Sequence, residues 1–274
     1  MKKQLSILIL FFIIGKIFAC SCDTPKPILE FQSSKYVFIG KIISKTYAND
    51  SLTYTVTFDI LKNYKNCENL KTLEFTFVSE GKYTGVYSSC DWDVDNGEKW
   101  LVYASKWKGK LTFGYYCSNS KPLDSWEISD SEQKVLDNGN SFKPENYIYE
   151  FELGFNRPNP ISNIDSILKS GKNKHYKDPY SWLVLFIDNK GKLKKVTTFK
   201  KYKLKSDPIF NLATAFEIKK QKPLTKFERD AIKLVKKVKK WEIKRQDKTK
   251  IPVSYVRHLV IEFDEINKKW KYQL

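Results

Sequence analysis

The sequence predicts two domains of different construction: an all-β domain of five short strands forming a small closed or nearly closed barrel, then an α+β domain ordered strand, strand, helix, strand. Three observations carry this. Between residues 36 and 113, apolar and polar residues alternate over short runs separated by turn residues, with no long helical stripe. Between 225 and 241 the apolar period changes to three and four behind a helix-start signal. The charge changes as well, within a chain of 274 residues and net charge +18: residues 20–140 carry 14 Lys/Arg against 16 Asp/Glu, and residues 141–274 carry 32 against 15. With 41% hydrophobic and 15% aromatic residues there is ample material for two cores, and general disorder is excluded.

The chain opens on a secretion signal, residues 1–19. Lys2 and Lys3 form the charged start, Leu5 to Ile14 is apolar apart from Ser6, and Ala19 is a small residue at the cleavage position. The apolar run is far shorter than the roughly 20 residues that span a bilayer. The expected mature chain therefore begins at Cys20, is secreted or periplasmic, and has no transmembrane segment.

The first domain, residues 20–140, begins its strands at Tyr36–Gly40. Tyr54, Val56, Phe58 and Ile60 then alternate with Thr53, Thr55, Thr57 and Asp59, and Leu73, Phe75 and Phe77 repeat the period. Trp100–Ala104 follows the turn signal Asn96-Gly97, and Leu111–Phe113 follows Gly109. Five strands without an intervening long helix suggest the oligomer-binding (OB) barrel, the commonest small closed solution. Ser129 to Leu136 reads as a short helix stopped at Gly139, and the turn-rich stretch Asn138–Pro144 places a boundary near 140.

The second domain, residues 141–274, starts with the buried-strand run Trp182–Ile187, the hairpin turn Asp188-Asn189-Lys190-Gly191 and a return strand Leu193–Phe199. Thr225-Lys226-Phe227-Glu228 is a capping box, and Phe227, Ala231, Leu234, Val235, Val238 and Trp241 form one helical stripe. Ile251-Pro252-Val253 leads into a last strand, Tyr255–Phe263.

Export places Cys20, Cys22, Cys67, Cys90 and Cys117 in an oxidising space, where an odd number leaves one over. Spacing leaves two arrangements open: lipidation of Cys20 with the other four paired, or a disulfide-bonded Cys20 with Cys67 free. The ordered set Cys20-Ser21-Cys22, Val37-Phe38-Ile39-Gly40-Lys41, Cys90, Gly97-Glu98-Lys99-Trp100-Leu101-Val102-Tyr103-Ala104 and Cys117 resembles the netrin-like domain of tissue inhibitors of metalloproteinases and its bacterial relatives, over residues 20–125. The resemblance implies an OB-fold with disulfides Cys20–Cys90 and Cys22–Cys117, leaving Cys67 unpaired. It also implies an alternative function. In the animal inhibitors the first cysteine's free amine and carbonyl oxygen bind the protease's catalytic zinc; here that residue is Cys20, with Ser21 entering the specificity pocket. The family's third disulfide and its cysteine-rich second domain have no counterpart.

Leu185-Phe186-Ile187-Asp188-Asn189-Lys190-Gly191-Lys192-Leu193, followed by Ala231, Val235, Trp241 and Pro252-Val253, is similar to the C-terminal domain of TonB over residues 180–265. That resemblance implies partner binding by strand addition at a sheet edge. Here the link Lys205–Leu224 is longer than usual, and no membrane helix with a proline-rich spacer is present.

Enzyme and cofactor signatures are lacking. The chain has two histidines, His175 and His258, and no His-Glu-x-x-His, phosphate loop, dinucleotide fingerprint or nucleophile elbow. His258 reads as a packed or edge histidine. Asp91, Asp93 and Asp95 lack the closing Glu of a calcium loop and read as a solvated loop, and Cys67 has no adjacent base. Only Arg157, Arg229, Arg245 and Arg257 among the 32 cations of the second half are arginines, which disfavours nucleic acid. The reading is an exported, non-enzymatic binding module of a bacterial envelope, without metal or cofactor, whose partner is a protein or envelope polymer, or, in the alternative, a metalloprotease.

Overall fold

The computed structural model describes residues 22–88, 91–220 and 223–274. Residues 1–21, including Cys20 and Ser21, and Cys90 lie outside them. The chain forms two compact, mainly β units, one ending at Asp137 and the other running from Asn138 to Leu274.

The first unit begins with a helix that no periodicity announced, α1 (Pro27–Ser33), too short to show a stripe. Pro27 supplies a preset φ in its first turn and Ile28, Leu29 and Phe31 are buried. Its C-terminal carbonyls are satisfied by a lysine: Lys65 Nζ donates to the carbonyl oxygens of Phe31, Gln32 and Ser34 at 2.8, 3.0 and 2.8 Å. An antiparallel meander follows, β1 (Tyr36–Tyr47), β2 (Thr53–Lys65) and β3 (Thr72–Val78), then the single turn α2 (Gly81–Thr84), and β4 (Lys99–Trp107), β5 (Lys110–Thr112) and β6 (Lys121–Pro122). Across the sheet the order is β3-β2-β1-β4-β5, with β6 also on β4. The five expected segments are strands; the sixth, two residues long, carries no readable pattern.

Register shifts at Ile39/Gly40 and Ile42/Ser44 bend β1 and coil the sheet into a half-barrel around aromatic rings. Gly40 sits where a Cβ would meet the Phe38 ring at 2.7 Å. Rings from the two ends of the sheet meet inside: Phe113, just after β5, packs edge-on to Phe75 of β3 at 5.0 Å and 90°. Such T-shaped pairs align ring edge with ring face. Helix α3 (Asp130–Asn138) closes the unit.

The expected solvated loop at Asp91, Asp93 and Asp95 is corrected in part. Asp91 accepts the N–H of Gly81 at 2.8 Å, and Asp93 and the buried Glu80 both bind Lys45 Nζ at 2.6 Å, over the Tyr54 ring. A half-buried Lys45 is stabilised by carboxylate partners, and these pairs tie the loop down.

The second unit contains β7 (Ile148–Tyr149), α4 (Ile164–Lys169), β8 (Tyr180–Ile187), β9 (Leu193–Thr198), β10 (Tyr202–Ser206), β11 (Ala213–Ile218), α5 (Lys226–Val235), β12 (Lys244–Arg245), β13 (Pro252–Asp264) and β14 (Lys269–Gln273). The order is β10-β11-β7-β13-β8-β9, with β12 and β14 also on β13. Two corrections to the expected strand, strand, helix, strand order follow. The expected link Lys205–Leu224 carries β11, which pairs with β10 in a hairpin over Tyr202–Ile218; strands of five and six residues leave little period to read. Helix α5, opened by the Thr225–Glu228 capping box, stops at Val235, so Trp241 is not helical. Trp241 instead donates its backbone N–H to Gly191 O at 2.8 Å and its indole N–H to Val238 O at 3.1 Å. Fully buried, it joins Leu183, Leu185 and Ile187 in the core between sheet and helices. Gly191 has φ +73°, and a Cβ there would collide with the Trp241 carbonyl.

Candidate binding site on the hairpin face of the second unit

Strand alternation gives the second sheet two faces. On β8 and β13, Leu183, Leu185, Leu259 and Ile261 point to the helices, so Trp182, Val184, Phe186, Val256 and His258 point the other way. The β10–β11 hairpin lies over this second face. Phe216 stacks on Phe186 at 5.5 Å and 13°, and Lys195 Nζ donates to Phe216 O at 3.0 Å. The turn Phe199–Lys201 leading into the hairpin stacks Phe199 on Trp182 at 4.4 Å and 18°.

His258 sits among these rings, 4.9 Å from Phe151, 5.5 Å from Trp182 and 5.8 Å from Tyr202. Its Nε2 contacts Glu150 Oε1, and because a carboxylate only accepts, this nitrogen carries the proton. Tyr202 Oη donates to the same oxygen at 3.2 Å. Burial, reinforced by the Glu150 charge, pushes the Tyr202 phenol up to about 12, so it stays a donor at neutral pH. The histidine is packed, as expected, and its carboxylate partner comes from 108 residues away.

Beside this group opens a cavity of about 610 Å³ lined by Glu150, Phe199, Tyr202 and the exposed Lys200, Lys203 and Lys219. The surrounding rings are open to solvent: Phe151 is 73% exposed, Tyr180 57%, Trp182 41% and Phe199 40%. Contiguous exposed aromatic surface of this kind marks a contact site. Three ammonium groups against one carboxylate make its field positive.

The cysteines lie in the other unit. Cys22 and Cys117 form a disulfide with Cα atoms 5.7 Å apart, and the segment Pro25–Glu30 is held further by Asn119, whose N–H donates to Glu30 Oε2 at 2.7 Å and whose side-chain amide donates to Pro25 O at 2.9 Å. The implied Cys20–Cys90 bond and the zinc-contact residues Cys20 and Ser21 fall outside the described residues. Cys67 is free and buried, and burial pushes its thiol up to about 11, so it is no nucleophile at neutral pH. His175 is exposed and contacts Glu265 at 2.9 Å. Among the described residues no three His, Cys, Asp or Glu side chains are grouped to hold a metal, and no helix is long and apolar enough to cross a membrane.

The aromatic site was not legible in the sequence. Its members come from five separate segments around residues 150, 182, 199–204, 219 and 258, and only the run Phe199-Lys200-Lys201-Tyr202-Lys203-Leu204, mixing rings with lysines, hinted at it. The chain matches no family model and no curated protein at a significant level.

Proposed function

We propose that this protein is an exported, non-enzymatic binding module of a bacterial envelope, with a disulfide-stapled netrin-like OB barrel and a basic TonB-like second domain that carries the ligand site. The observation that supports it best is the lysine-lined cavity with exposed rings beside the Glu150–His258 pair. An aromatic platform with a few convergent polar groups is how binding sites are commonly built. Strand addition at a sheet edge is a weaker account of it, because the open rings lie on a face and not on an edge. Co-sedimentation of the purified exported chain with an isolated bacterial envelope fraction tests the reading. Wild type should co-sediment, and the Phe199→Ala variant should be released; equal retention of both, or of neither, refutes this site as the binding surface.

A second reading, inhibition of a zinc endopeptidase through the free Cys20 amine, draws support from the Cys22–Cys117 bond, the pairing that the netrin-like resemblance implies. A mature chain starting at Cys20 would then inhibit, whereas one extended by Ala before Cys20 would not, since an amide nitrogen is a poor zinc donor. Equal inhibition by both forms refutes that mechanism.

A further inference from the structure

We infer that the site formed by Phe199, Tyr202, Trp182 and Glu150 binds an acidic oligosaccharide. This rests on the reading of the site as a ligand-binding surface and specifies the ligand. Four features of the surface each match one part of such a molecule. Trp182 and Phe199 cover one face of each other, yet these two rings and Tyr180 leave 40% or more of their surface open, and a pyranose has a C–H face that packs on such aromatic surface. Tyr180 and Trp182 project from the same face of β8, so the rings continue beyond the cavity and suit a ligand of several residues in a row.

The polar groups favour hydroxyls with acid groups over either alone. Glu150 receives both His258 and Tyr202 on Oε1, which leaves Oε2 to accept from a ligand hydroxyl. A carboxylate so placed repels a phosphate backbone, and among the described residues none lining the cavity is an arginine, the side chain that reads phosphate with a planar fork. Lys200, Lys203 and Lys219 supply three point charges around the same space, suited to carboxylates or sulfates spaced along a chain. A neutral sugar would leave those ammonium groups unused, while single-stranded nucleic acid would place its phosphates near Glu150.

The exported chain is tested on an array bearing uronic, sialylated, sulfated and phosphorylated oligosaccharides, then by calorimetric titration with a galacturonate hexamer or the best array ligand, with maltohexaose and a twelve-residue oligothymidylate alongside. Binding to acidic glycans, with maltohexaose at least about tenfold weaker, is expected. Phe199→Ala should weaken binding about tenfold, as loss of an anchoring ring does. The double variant Lys200→Glu/Lys203→Glu, at two exposed positions, should abolish it, wild-type binding should weaken with added salt, and the variant keeps the test sound should Phe199→Ala fail to fold. Absence of any acidic glycan from the bound set, equal binding of maltohexaose, tighter binding of the oligothymidylate, or a folded double variant that binds like wild type overturns the inference. If the array is blank while envelope retention still depends on Phe199, the saccharide assignment falls and the binding surface stands.

Discussion

Trp241→Ala probes the second unit where its structure departs most from the sequence pattern. The indole is 1% exposed and buries on the order of 200 Å². At about 25 cal/mol per Å² that is about 5 kcal/mol, reduced by about a third because the unfolded chain already hides part of it. Loss of the indole bond leaves the Val238 carbonyl short of a partner, adding about 1 kcal/mol. The expected cost is therefore about 4 kcal/mol, a large part of the 5 to 15 kcal/mol typical of a domain. With two units in the chain the transition must be assigned to the second, so urea unfolding is followed through amide resonances of Leu183 to Ile187. A slope of about 2 kcal/mol per M moves the midpoint down by about 2 M. Trp241→Phe, which keeps a ring, should lose less than half of that. A midpoint shifted by less than about 0.3 M in Trp241→Ala would show that the hairpin turn and the segment after α5 are not locked together by this side chain.

Cys22→Ser opens a bond between residues 95 apart and should cost about 2 to 5 kcal/mol in the first unit, seen as a lower melting temperature under oxidising conditions only; an unchanged value would count against the staple. Gly191→Ala imposes a Cβ on a left-handed backbone and against the Trp241 carbonyl, so a loss of at least about 2 kcal/mol is expected by calorimetry, and a neutral result would contradict the close approach. Asp230 is held below the ordinary carboxylate range by the Lys174 ammonium at 2.6 Å, and the Tyr176 hydroxyl adds to this. A lowered folded-state pKa stabilises above the unfolded value of about 3.9, and that contribution disappears as pH falls through the folded value. Asp230→Asn should accordingly lower stability at pH 7 and flatten the acid limb below about pH 4, whereas an acid limb identical to wild type would remove Asp230 from it.

Part of this protein was determined locally and could be read from the chain. The strand at Tyr54–Ile60 shows its buried face because one side packs on rings and the other meets water, which writes period two into the sequence. The capping box at Thr225–Glu228 and the turn at Asp188–Gly191 were legible for a similar reason, since the backbone groups they satisfy lie within a few residues. The end of helix α5 was not. Val238 and Trp241 continue its spacing because the same core needs apolar residues there, and periodicity registers burial without saying whether a helix supplies it.

The candidate site belongs wholly to tertiary structure. Glu150 and His258 are neighbours only because β13 carries the histidine to the outer face of the sheet and the chain after β7 brings the carboxylate to it. The hairpin Tyr202–Ile218 hides its role because Lys203 and Lys205 face solvent, whereas Phe216 and Tyr202 pack against side chains from β8 and β13 and Phe210 against Phe142 and Tyr147. Local preferences decide where strands and caps form, since their partners are adjacent in the chain. Which faces are left open, and which charges meet across them, depends on contacts between distant segments that leave no spacing in the sequence to read.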